Sequence, residues 1–353
     1  MDTQSLRSFS NAATFVRRAA ELSMKPATRL IIAAGLIAIL FHGEVIDFST
    51  LEQLITHPLV ILQVVAIVLL ALVLSGLRWF LLLACQGIHV SAIKSIQILF
   101  ITVFFSMFLP GGFLTSDALR TAYVAREAPD QRTAATWSIF FDRLIGIYAL
   151  FLLCLVFSLF NRDAIVQHVP LLVLTVSAAG ISLGMPLALF LFMHFSHTSW
   201  GQWILTHSRS QQVRWTLDRL VHAVDLYKKT PGSMAMVLFL ALFNHILTIA
   251  CILAIVASSG IGALTHGDYV LATLWSTAAN ALPITPGGLG VGEGSFDQIA
   301  RLLETIPSAT GYGTIFLVFR ILSSLALLPG LFFYLVYRRD IRETLQSTAL
   351  PST

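Results

Sequence analysis

Two arginines sit where arginines are scarce: Arg143 lies about ten residues into one apolar stretch and Arg320 about nine residues into another. Asp117, Asp142 and Glu293 are the natural counter-charges. An ionised group at membrane depth is costly and usually faces a partner or a pathway. A guanidinium there presents a planar fork of N–H donors that grips a carboxylate or a phosphate through two bonds at once. The chemistry on offer is anion recognition, with phosphate a fitting class. A structural reading stands beside it, in which Arg143 with Asp142 or Asp117, and Arg320 with Glu293, lock helices together. Both can hold at once.

These residues belong to a pattern that occurs twice. Pro110-Gly111-Gly112 is followed five residues later by Asp117, and Pro286-Gly287-Gly288 five residues later by Glu293. Leucine-proline breaks precede both, at Leu109-Pro110 and Leu282-Pro283. Gly112 lies 31 residues before Arg143, and Gly288 lies 32 before Arg320. Gly/Pro-interrupted apolar segments at corresponding places in two halves point to a transporter's binding site. Glycine lets the chain turn and a ligand approach the backbone. A helix starting there aims free N–H groups and a positive dipole end at the cavity. The candidate substrate-binding set is Pro110, Gly111, Gly112, Asp117, Arg120, Asp142 and Arg143 from the first half. Asn280, Pro286, Gly287, Gly288, Glu293 and Arg320 come from the second.

Composition says what elements must hold them. Of 353 residues, 56% are hydrophobic and 11% charged, with a mean hydropathy of +0.82. That is too little polar surface for a soluble globule, so the expected class is an all-α polytopic membrane protein. Apolar runs at 29–42, 59–77, 133–160, 169–194, 234–258 and 311–337 predict six spans, against a need of ~20 helical residues per crossing; the first is short. Residues 95–109 and 269–282 differ: each breaks after about 15 residues, or ~22 Å of helix, and a second short helix follows at 113–125 and 293–303.

Two re-entrant hairpins, 95–125 and 269–303, are therefore expected. Read this way, Lys and Arg outside the spans, Arg78 and Arg120 included, divide as 18 cytoplasmic against one external, Arg162; full spans would place many of them outside, against the positive-inside rule. The alternative is one long helix kinked at a tolerated proline. Three spans separate the hairpins, so the two open on opposite faces and their tips approach the midplane. The expected layout is a basic cytoplasmic segment 1–28, a first membrane repeat 29–160, a second, inverted repeat 169–338 and a cytoplasmic tail 339–353. Between the repeats, 202–229 reads as a cytoplasmic interfacial helix, apolar on one face and basic elsewhere, or as a plain connector.

Other signals are weaker. Cys85, Cys154 and Cys251 lack ligand spacing, and His194 with His197 closes a span where histidine suits the interface. Asn244-His245 lies mid-span, where an interhelical hydrogen bond is the common use. No Walker loop, dinucleotide fingerprint or nucleophile motif appears, so no cofactor, metal or nucleic acid is expected. No cleavable signal sequence is seen, which leaves the amino end inside.

The stretch from Phe105 to Gly112 with Asp117 and Arg120, then Asp142-Arg143, then Leu282 to Glu293, resembles the flippase-like transmembrane domain of lysylphosphatidylglycerol synthases, over about residues 30–338. The resemblance implies movement of a phosphate-bearing lipid, aminoacylated or polyisoprenyl, between leaflets of a bacterial or archaeal cytoplasmic membrane; the charge pattern puts both termini inside. Nothing follows Thr353, so the soluble transferase domain of the synthases, and enzyme activity with it, is not expected. Two other classes stay open: a secondary transporter of a small anion, and an embedded enzyme using Asp117, Asp142 or Glu293 on a headgroup. Membrane lipids are the expected partners; a homo-oligomer and a separate lipid-modifying enzyme are the partner classes left open.

Overall fold

A computed structural model describes residues 57–107, 113–127, 131–196, 198, 211–259, 264–281, 285, 288–304 and 311–336. The segment 1–28, the first expected span 29–42, the tail 339–353 and the residues Pro110, Gly111, Gly112, Pro286 and Gly287 lie outside them. The described residues are all-helical: α1 Pro58–Cys85, α2 Ala92–Ser106, α3 Phe113–Glu127, α4 Arg132–Phe160, α5 Arg162–Gln167, α6 Val169–Ser196, α7 Gln211–Lys228, α8 Pro231–Ser259, α9 His266–Asn280, α10 Val291–Leu303 and α11 Gly313–Leu325.

Among the described residues five helices are long and apolar enough to cross a membrane: Pro58–Cys85, Thr133–Phe160, Val169–Phe192, Pro231–Ser259 and Gly313–Val336. Their outward faces confirm the solvent they require. Leu183 is 71% exposed, and Val173, Val176 and Phe190 on the same helix are also exposed. A soluble protein does not leave so large an apolar patch uncovered. The chain is a multi-pass membrane protein.

The two short pairs have the lengths expected of them. α2 and α9 are 15 residues each, about 22 Å, and each packs against the short helix that follows, α2 on α3 and α9 on α10. Both start at a hydroxyl cap, because the first N–H groups of a helix have no partner of their own. Ser91 accepts from the Lys94 N–H at 3.2 Å. Thr265 and Asp268 cap each other, Thr265 N–H to Asp268 Oδ2 at 3.0 Å and Asp268 N–H to Thr265 Oγ1 at 3.3 Å.

Two boundaries differ from the sequence reading. The span read as 59–77 runs on as one helix to Cys85, so Arg78 lies within that helix. The apolar run resumes at Trp79–Leu83, and one charge with a buried partner does not end a helix. The last span is interrupted at 326–328 before resuming over 329–336. Pro329 lacks an N–H and crowds the carbonyl four residues back, and the local bonds shorten to three-residue steps, among them Leu328 N–H to Leu325 O at 3.2 Å and Gly330 N–H to Leu327 O at 2.9 Å.

The halves clasp each other. In the core, Trp275 of α9 meets Phe151 of α4 edge-on at 6.1 Å. Beyond the Pro329 break, Phe333 meets Phe100 of α2 at 5.6 Å and Tyr334 meets Phe105 at 4.8 Å. Each short pair thus leans on the long helix that closes the opposite half.

Candidate functional site

The carboxylates and arginines picked from sequence come together pairwise. α3 carries Asp117 to the face of α4, where Arg143 donates Nε to Oδ2 at 3.0 Å and Nη2 to Oδ1 at 2.8 Å. α10 carries Glu293 to α11, where Arg320 donates Nε to Oε1 at 2.5 Å and Nη2 to Oε2 at 3.2 Å. The partners are 26 residues apart in the first half and 27 in the second. The same two-pronged fork is built at matching places in both.

Exposure separates them. The Arg143 and Asp117 side chains are 40% and 20% exposed, those of Arg320 and Glu293 18% and 1%. The second fork is also more heavily tied. Arg320 Nη2 reaches Asn280 Oδ1 at 2.9 Å and the Gly288 carbonyl at 3.0 Å, joining α9, the turn and α10 to α11. Its guanidinium stands 5.8 Å from the Phe316 ring. Glu293 accepts the Gly290 N–H at 2.9 Å, so this carboxylate fills part of the anion site that the start of α10 offers.

Glycine is required at this turn. Gly288 has φ +71° and a side chain there would overlap Asn280; Gly290 follows with φ +83°, a region L-residues rarely enter. Gly292 backs onto Phe316 and Arg320 with no room for a Cβ. The Gly-x-Gly-x-Gly run is therefore what allows the fork to close.

Asp142 does not serve Arg143, although they are neighbours. Successive helix positions face about 100° apart, and Asp142 turns inward, taking Arg78 Nε at 2.7 Å and Arg120 Nη1 at 3.3 Å. Asp142 is 3% exposed and Arg120 is 4%. Arg120 also lies 5.3 Å from the Trp79 ring, whose Nε1 donates to Ser138 Oγ at 3.1 Å. Arg120 Nε is buried and meets no acceptor among the described residues. With Asp117 and Arg143, this part of the first half gathers three guanidinium groups around two carboxylates.

Arg78 is the residue of this cluster that the sequence reading missed as a site. The signal was present in the apolar residues after it, which continue the helix. Asn244 and His245 make the interhelical bonds expected of mid-span polar groups: Asn244 Nδ2 to Ser75 Oγ at 2.6 Å, and His245 Nε2 with the Gly146 carbonyl at 3.1 Å. Among the described residues no group of three or more His, Cys, Asp or Glu side chains is placed to hold a metal ion.

In comparison with known families, residues 27–345 fit the profile described as the lysylphosphatidylglycerol synthase TM region. Neither the curated proteins nor the solved structures gave a match.

Proposed function

The chain belongs to the lysylphosphatidylglycerol synthase TM region family, and from that premise we propose that it moves a phosphate-bearing lipid from one membrane leaflet to the other. What carries the reading is the repeated fork, Arg143 on Asp117 and Arg320 on Glu293. A carboxylate held by two guanidinium N–H groups occupies the geometry that two phosphate oxygens take. A headgroup phosphate that displaces the carboxylate leaves the arginine paired, and the cost falls on the released carboxylate, least at Asp117, 20% exposed, and most at Glu293, 1% exposed.

The first fork is the more open one, and a headgroup meets Arg143 first. Passage ends at Arg320, reached from the opposite face because the two short helix pairs act as inverted re-entrant hairpins. The lipid tails stay in the bilayer. The membrane is a bacterial or archaeal cytoplasmic membrane with both termini inside, the chain is a carrier and not an enzyme, and movement is passive or assisted by the membrane potential.

Leaflet exchange of defined lipids in vesicles tests this. Arg143→Gln and Arg320→Gln should each cut the rate in protein that remains folded, and Lys should restore little, since it keeps the charge but not the planar fork. A well-folded Arg143→Gln, Arg320→Gln protein that moves lipid at the parental rate would sink the proposal.

A further inference from the structure

One crevice has none of the fork residues in its lining. It is a cavity of about 530 Å³ between α4, α6, α7 and the first turns of α8. Phe141, Ile145 and Tyr148 line it along one face of α4, Leu189 faces them from α6, and Met234 and Leu238 close it from α8. Its walls are almost wholly apolar. The neighbouring outer faces of α4 and α6 are exposed apolar surface, with Phe140 at 48% and Phe190 at 62%, so the crevice is set in the part of the protein that faces the bilayer.

The end formed by α7 is different in chemistry. Tyr227 and Lys228 belong to the lining, and Lys229 follows at the exposed turn into α8. Tyr227 is fixed, its ring 4.9 Å from Phe141 and its hydroxyl bonded to Gln86. Lys228 is not: its side chain is 41% exposed and its ammonium is 4.0 Å from Asp225, a loose contact on a solvated face. An apolar slot of acyl-chain character thus ends under two exposed cations.

We infer that this crevice is a binding site for an anionic membrane phospholipid, one acyl chain in the slot and the phosphate at Lys228 and Lys229. Charge complementarity selects the anionic class, since basic side chains at a membrane surface attract anionic headgroups, and a lysine places a mobile point charge where a phosphate need not be held in one geometry. The site does not depend on the forks. A lipid held here bridges the connector helix α7 to three spans and fastens the joint between the halves.

The test uses purified full-length protein in detergent and follows thermal unfolding on adding dioleoyl phosphatidylglycerol, dioleoyl phosphatidylcholine or water-soluble glycerol phosphate. Phosphatidylglycerol should raise Tm by several degrees more than phosphatidylcholine, and glycerol phosphate should do nothing, which separates a lipid from a free phosphate. Lys228→Gln, Lys229→Gln should bring phosphatidylglycerol down to the phosphatidylcholine level. Because both side chains are at the surface, this variant keeps its core, and Leu238→Trp, which fills the slot, should lose the response to both lipids. Arg143→Gln should keep the phosphatidylglycerol preference, so loss of transport there leaves this site standing. An unchanged preference in the double lysine variant, or none in the parent, overturns the inference.

Discussion

At the scale of the residue, burial decides which charges hold the protein together. Asp142 satisfies Arg78 and Arg120 in a place closed to solvent, and its loss strands two cations. Asp142→Asn should therefore cost about 3–5 kcal/mol, the usual penalty for removing one partner of a buried ion pair, read as a fall in Tm and yield. The two forks should differ for the same reason. Arg320→Gln leaves Glu293, 1% exposed, without its guanidinium, whereas Arg143→Gln leaves a carboxylate that is 20% exposed and can hydrate. Yield should drop more for Arg320→Gln, and adding Glu293→Gln should recover much of it; equal yields would argue against the burial account. Gly288→Ala forces a Cβ into the left-handed region, at about 1–2 kcal/mol, and into Asn280 as well, so its loss of Tm should exceed the conformational term alone. The arginines and acids of the forks were legible in the sequence because charges stand out in apolar runs. Which acid Arg143 takes was not, since Asp142 is its chain neighbour and Asp117 lies 26 residues away, and only the direction each faces on its helix makes the distant one the partner.

Elements were legible where hydropathy and punctuation agree. Spans read as 133–160, 169–194 and 234–258 appear as Arg132–Phe160, Val169–Ser196 and Pro231–Ser259, and the short helices were visible because Pro-Gly breaks bound them. Two details stayed hidden for opposite reasons: the charge of Arg78 suggested a span end where packing supplies a partner, and the apolar run 311–337, found as the candidate span Gly313–Val336, gave no sign of the break before Pro329, which hydropathy does not register. The first turns of α2 and α9 carry opposite signs, Lys94 in one and Asp268 in the other. A lysine gains nothing from the positive end of a helix, whereas an aspartate there is stabilised by it. Thr265→Ala should remove the reciprocal cap of α9 and cost about 1 kcal/mol, measured by thermal unfolding. Loss well beyond that would mean the cap also anchors the loop before it.

For the whole molecule, orientation is the property most open to test. On a background with Cys85 replaced by Ser, and with Cys154 and Cys251 buried, a cysteine at Gln167 should react with an impermeant reagent from outside, while cysteines at Gln211 and Asp130 should not. Labelling of Asp130 from outside would turn α2 and α3 into a full crossing and remove the inverted arrangement. The sequence carried the membrane class through composition and the two acid–arginine forks through their repeated spacing. It carried little of how the halves meet, because ring contacts such as Phe151 with Trp275 and Phe100 with Phe333 join residues more than a hundred positions apart, and no local signal encodes them.

That clasp has a consequence for biosynthesis. While the ribosome is still making the second half, α2 has already emerged but lacks Phe333, Tyr334 and the close-fitting Gly330 that cover it, and α9 docks on an α4 made long before. Neither half is a finished unit when its own synthesis ends, so assembly waits for the last helix. A chain cut between α6 and α7 should yield two fragments that are degraded when expressed singly and accumulate when expressed together, each acting as the chaperone of the other.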